Sequence, residues 1–156
     1  MRFLSVAAAV ACLAPTMAMA GQIVDKTDRF RGTRTVSWES FRDPERSYSY
    51  NVYAQYAKAD DPTPRRYYAL LALPAGSPSY ASCDSNAWLV DGARVPELTA
   101  RYDASSGAQL FNVALNQGLL ERLAKAQSVE FKICNTEAAI SPEDLAGVRE
   151  LLERIR

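Results

Sequence analysis

Ser47-Tyr48-Ser49-Tyr50-Asn51-Val52-Tyr53-Ala54-Gln55-Tyr56-Ala57 decides the fold class. Read with period two, Tyr48, Tyr50, Val52, Ala54 and Tyr56 fall on one side and Ser49, Asn51, Tyr53 and Gln55 on the other. That alternation is the mark of a strand half-buried in an antiparallel sheet, because successive side chains leave a strand on opposite faces. Tyr48, Tyr50 and Tyr56 are therefore expected in the core, and Tyr53 points the other way.

Upstream, Arg42-Asp43-Pro44-Glu45 reads as a turn, and residues 34–38 alternate so that Val36 and Trp38 share a face. Residues 21–32 are polar with isolated Ile23, Val24 and Phe30, an irregular lead-in or a short edge strand. Downstream, Asp60-Asp61-Pro62-Thr63-Pro64 cannot continue a ladder and forces a turn. Residues 66–73 are apolar on both faces, which predicts a central strand covered on both sides. After the longest loop, 74–85, a tight hairpin is expected over 87–95, since Asp91-Gly92 tolerates the positive φ angles of a two-residue turn. Pro96 ends that pairing, 98–102 resumes a strand, 104–107 turns, and 110–115 places Phe111, Val113 and Leu115 on one face.

The period then changes. Asn116 can cap a helix to about residue 126, with Leu119, Leu120, Leu123 and Ala124 as its apolar stripe. Val129, Phe131 and Ile133 return to period two, with Glu130, Lys132 and Cys134 opposite. Ser141, Pro142 and Asp144 open a last helix whose stripe is Leu145, Val148, Leu151, Leu152 and Ile155. Glu143 and Asp144 sit at its positive end and Arg154 and Arg156 at its negative end. The sum is an α+β domain, a mainly antiparallel β-sheet with two C-terminal α-helices packed on one face, spanning residues 21–156.

Residues 1–20 read as an address. Arg2 supplies a positive charge, residues 3–13 are apolar and Ala-rich, Pro15 breaks the run, and Ala18-Met19-Ala20 places small residues where a signal peptidase reads. Cleavage after Ala20 and export to the periplasm or the medium are expected. Lipoprotein anchoring through Cys12, preceded by Ala9-Val10-Ala11, is the alternative. No integral membrane segment is expected once the leader is removed. Loss of Arg2 leaves 17 basic against 18 acidic side chains, too balanced to steer the protein to nucleic acid. Cys12 leaves with the leader, and Cys83 and Cys134 remain as an expected disulfide of an exported protein.

The chain has no histidine, which removes the Ser-His-Asp triad, the Cys-His dyad and the imidazole base. Its lysines are Lys26, Lys58, Lys125 and Lys132, and no phosphate-binding glycine loop or EF-hand spacing occurs. No metal site or cofactor is expected; Asp60-Asp61 and Asp43-Pro44-Glu45 read as solvated turns. Carboxylate chemistry on a glycan is the surviving enzymatic route, with Asp84, Asp91 and Glu97 as its acids. The favoured expectation is a non-enzymatic exported domain that recognises a protein or envelope component, its hot spot sought along Tyr80, Asp84 and Trp88. A carboxylate-dependent envelope hydrolase or a small-ligand carrier is the alternative. Oligomeric state is not legible in the sequence.

Overall fold

The structure is a computed structural model and describes residues 21–41, 48–73, 80, 85–103 and 109–156. Among these, ten strands and two helices follow one another in the order the periodicities predict, with additions. β1 (Gly21–Asp28), β2 (Thr33–Ser40), β3 (Ser49–Tyr56) and β4 (Arg66–Leu73) form an antiparallel meander. β5 (Asn86–Val90) and β6 (Ala93–Arg94) make the expected Asp91-Gly92 hairpin, with φ of 51° and 75° at the two turn residues. β7 (Ala100–Asp103), β8 (Gln109–Leu115), α1 (Gln117–Lys125), β9 (Val129–Ile133), β10 (Thr136–Ala139) and α2 (Pro142–Arg154) complete the order.

The fold is α+β and mainly antiparallel, as the alternation in residues 47–57 requires, but the strands divide between two sheets. One runs β1-β2-β3-β4-β8-β7 and the other β10-β9-β5-β6. They are tied side to side by Asn86. Its side-chain amide donates to the Ala100 carbonyl at 3.0 Å, and its carbonyl accepts from the Ala100 amide at 2.9 Å. In effect one side chain occupies the hydrogen-bonding edge of β7.

The lead-in is a regular edge strand, paired with β2 along all of Gly21–Asp28. Charge pins it there. Asp25 accepts from Arg34 Nε at 2.9 Å and from a terminal guanidinium nitrogen at 2.7 Å, while Arg34 lies 5.1 Å over the Tyr56 ring. The Arg34 hydrogen bonds hold the Asp25 carboxyl below the usual carboxylate range, against a smaller opposing effect of burial. A depressed carboxylate stabilises the folded state above its unfolded pKa, and the contribution disappears as pH falls through the folded value. Asp25→Asn is therefore expected to cost about 0.5–1 kcal/mol at neutral pH. Urea midpoints of wild type and variant, compared from roughly pH 7 to pH 2, should converge on the acid side. A gap that stays constant across that range would exclude the ion pair as its source.

The core lies on the inner face of the first sheet. Val36, Trp38, Tyr50, Val52, Ala54, Tyr56, Ala69, Leu71, Phe111 and Val113 are buried, as the parity of β2, β3, β4 and β8 predicts. Trp88, Val90, Val129, Phe131 and Ile133 of the second sheet face the same interior. Tyr48 meets Phe131 edge to face at 5.3 Å and donates its hydroxyl to the Ala139 carbonyl.

α2 closes the β1–β2 end of this interior and α1 packs against α2. Both caps are those expected. Asn116 Oδ1 accepts from the Leu119 amide at 2.8 Å, and Ser141 Oγ accepts from the Asp144 amide at 3.1 Å. Asp144 does more than cap. It is fully buried, accepts from Ser141 Oγ at 3.0 Å, and accepts from Trp38 Nε1 at 3.0 Å. The Trp38 indole lies against two glycines. A Cβ at Gly147 would fall 2.1 Å from the ring, and one at Gly21 would fall 2.5 Å from it.

Two local features depart from expectation. Residues 136–139 form β10, closing a two-residue turn at Cys134-Asn135. Cys134 accordingly stands in the turn, half-buried with φ 52°, not within β9 on the face of Glu130 and Lys132. No described helix is long and apolar enough to cross a membrane.

Candidate functional site

Parity in the first sheet assigns its outer face. Val24, Ser37, Tyr53, Tyr68 and Ala114 form one row across β1, β2, β3, β4 and β8. Gln22, Glu39, Asn51, Leu70, Asn112 and Arg101 form the next row, from β1 across to β7. The contacts described above with α2 and the second sheet run through the opposite, inner face. β4, expected to be covered on both sides, occupies a central position but leaves Tyr68, Leu70 and Ala72 only half-buried on this outer face. An apolar strand face left half open is the main discrepancy between the sequence pattern and the fold.

The middle of the face is aromatic. Tyr53 and Tyr68 stack at 4.8 Å with 11° between their planes, and the Arg66 guanidinium lies 5.1 Å over the Tyr68 ring. A stack of two rings and a guanidinium stands rigidly out of the sheet at little further entropic cost. Amides and hydroxyls hold its surroundings. Asn51 donates to the Tyr53 hydroxyl at 3.4 Å while its carbonyl accepts from the Ser40 amide at 2.9 Å. Buried Ser37 donates to Glu39 at 3.1 Å. Burial raises the pKa of both tyrosine hydroxyls; for Tyr53 the Asn51 bond opposes the shift, and for Tyr68 the Arg66 charge does. Both rings are therefore neutral donors at physiological pH.

Beside the stack an open groove of about 480 Å³ runs over β8 toward β7, bounded by Arg66, Thr99, Arg101, Asp103, Asn112 and Ala114. A second hollow, of about 450 Å³, lies on the outer side of the other sheet over Ala87, Leu89 and Ala139, with Lys132 and Glu137 ion-paired at its rim. Phe30 at the tip of the β1–β2 hairpin and Phe41 after β2 are exposed aromatics standing singly, which is ordinary for a protein surface.

The surface sought along Tyr80, Asp84 and Trp88 is not where the first and last of these residues lie. Trp88 is 1% exposed because it shares the inward parity of Val90, and its ring rests 5.3 Å from Phe131. Its Nε1 has no hydrogen-bond partner among the described residues. Tyr80 is 5% exposed, edge-on to Phe111 at 5.5 Å, with its hydroxyl 2.6 Å from Thr136 Oγ1. Neither ring is presented to a partner, which corrects that expectation. Asp84 and Cys83 lie outside the described residues.

Of the other acids considered for hydrolysis, Asp91 accepts from the Gln127 and Ser128 amides at 2.8 and 2.9 Å, closing the link between α1 and β9. Glu97 is an exposed residue between β6 and β7. Among the described residues no three His, Cys, Asp or Glu side chains gather as a metal site. Sequence reading placed Tyr53 outward but attached no role to it. Tyr68 and Leu70 carried the available signal, an apolar side chain on each face of one strand. Comparison with known protein families, characterised proteins and solved structures finds no match to this chain.

Proposed function

We propose that this chain is a small exported, non-enzymatic domain that recognises a protein or envelope component through the outer face of its six-stranded sheet. The observation that carries the reading is the half-open apolar face of β4 beside the Tyr53–Tyr68 stack. Rigid tyrosines and arginines around an apolar centre are the composition of recognition hot spots.

Two observations support the exported setting. The Ala-rich leader closes on Ala18-Met19-Ala20, small residues where a signal peptidase reads. The Cys134 amide donates to the Ser85 carbonyl at 3.0 Å, two residues along the chain from Cys83, which suits a Cys83–Cys134 disulfide. Cys134 also stands at φ 52°, where glycine costs least. A cysteine at that backbone position fits a role for its sulfur.

The test uses the full chain, expressed with its own leader, tagged after Arg156, and captured from its own envelope after thiol alkylation under non-reducing conditions. One stoichiometric partner should accompany wild type and a Lys132→Ala control, with Cys83 and Cys134 unalkylated. Tyr68→Ala combined with Leu70→Lys should lose that partner at least about tenfold while remaining folded. A folded face variant that keeps its partner, or a wild type with none, would overturn the reading. Alkylation of both cysteines would overturn the disulfide.

A further inference from the structure

We propose that the groove between Arg66 and Arg101 binds a carboxylate, carried by an extended acidic peptide segment of the partner. This rests on the reading of the outer face as a recognition surface and names the chemistry that the face selects.

The argument begins with charge. Among the described residues three cations pair with acids, Arg34 with Asp25, Arg31 with Asp28 and Lys132 with Glu137, and most others stand singly on the surface. Arg66 and Arg101 have no ion pair among the described residues, yet both border the same groove. They approach it from opposite sides, Arg66 from β4 and Arg101 from β7, with β8 between them. Ala114 keeps the floor low, and Asn112, directly across from Arg101, adds an amide. Two guanidiniums and an amide around a shallow floor offer planar forks of N–H donors, the geometry that suits a carboxylate. Asp103, the acid of the groove, already has an interaction of its own. The stack against Tyr68 restrains Arg66, so less of its rotamer freedom remains to be lost on binding.

The edge of β7 explains why the carrier is an extended peptide. Ala100 turns its N–H and C=O away from β8 and gives both to Asn86. In an antiparallel ladder every second residue does the same, so the Tyr102 N–H and C=O also face off the free edge. Tyr102 borders the groove as well. A strand-like segment can bond Tyr102 through its main chain and direct a glutamate over Arg101 toward Ala114, the arrangement of an added edge strand.

The probes are Ac-Val-Glu-Val-Glu-Val-NH2, its Gln-for-Glu counterpart and inorganic phosphate, each titrated into the 15N-labelled full chain isolated from its envelope. The glutamyl peptide should move the Arg66 and Arg101 Nε–H, Asn112 side-chain amide and Tyr102 backbone signals saturably. The glutaminyl peptide should bind at least about tenfold more weakly, as charge-assisted pairing requires. Arg66→Gln and Arg101→Gln, both at exposed positions, should each weaken the glutamyl peptide about tenfold with unchanged thermal midpoints. Absence of saturable shifts at these signals, equal binding of the two peptides, or equal binding of phosphate would overturn the proposal. If the peptide fails while the Tyr68→Ala, Leu70→Lys chain still loses its captured partner, the recognition face stands and only the acidic segment falls. If that variant keeps its partner, the broader reading falls whatever the peptide does.

Discussion

Gly147→Ala is expected to destabilise the fold by about 2 kcal/mol, although the substitution improves helix propensity. A glycine inside a helix costs about 0.5–1 kcal/mol relative to alanine, so on an open helix face this change would stabilise. Here the new methyl would lie 2.1–2.4 Å from three atoms of the Trp38 ring. The ring has little room to retreat, since its other contacts include Gly21 and the Asp144 carboxylate. Overpacking of this kind costs about 1–3 kcal/mol, occasionally more, and outweighs the propensity gain. Thermal or urea unfolding of the purified chain measures it. The same substitution made in a Trp38→Leu background, where the ring is gone, should cost under about 1 kcal/mol. Equal costs in the two backgrounds would show that Trp38 is not the obstacle.

The second large effect is expected at Asp144. Asp144→Ala removes the acceptor of Trp38 Nε1 and the partner of Ser141 Oγ together, at a fully buried position. An indole N–H left buried without a partner costs about 1–3 kcal/mol, and the weakened cap adds about 1. A total near 3 kcal/mol is expected. Asp144→Asn keeps a carbonyl acceptor for the indole and should lose roughly half as much. Near-ultraviolet circular dichroism, which reports the setting of the tryptophans, should change more for the alanine variant than for the asparagine variant. Equal losses for the two would mean that the carboxylate's charge, not the indole hydrogen bond, sets the cost.

These two sites show where sequence reading stopped. Asp144 was legible as a capping residue from Ser141-Pro142 and the apolar stripe behind it. Its bond to Trp38 joins residues 106 positions apart, and no local pattern reports such a contact. Gly147 reads as a weak point in a good helix until the ring against it is known. The alternation of β2, β3 and β8 was legible because one face of each is buried and the other is not. The division into two sheets was not, since it depends on the pairing of β5 with β9 and on one asparagine side chain standing in for a strand. β10 has only four residues, two of them alanines, which have little strand preference of their own. The alternation of Ala87, Trp88, Leu89 and Val90 puts Trp88 on the face of Val90, so strand parity, not nearness to the 74–85 loop, decides its burial.

The Trp38 pocket also bears on the order in which the chain can finish folding. Its walls come from β1 and α2, at opposite ends of the described chain, while its occupant belongs to β2. A growing chain that has released every strand still holds an open-sided Trp38 until residues 141–147 arrive. Closure of that contact spans most of the domain, the kind of long-range step that folding reaches late. Until then the sheet lacks the wall that α2 supplies, and the Trp38 pocket is among the last parts of the domain that synthesis from the N-terminus can complete.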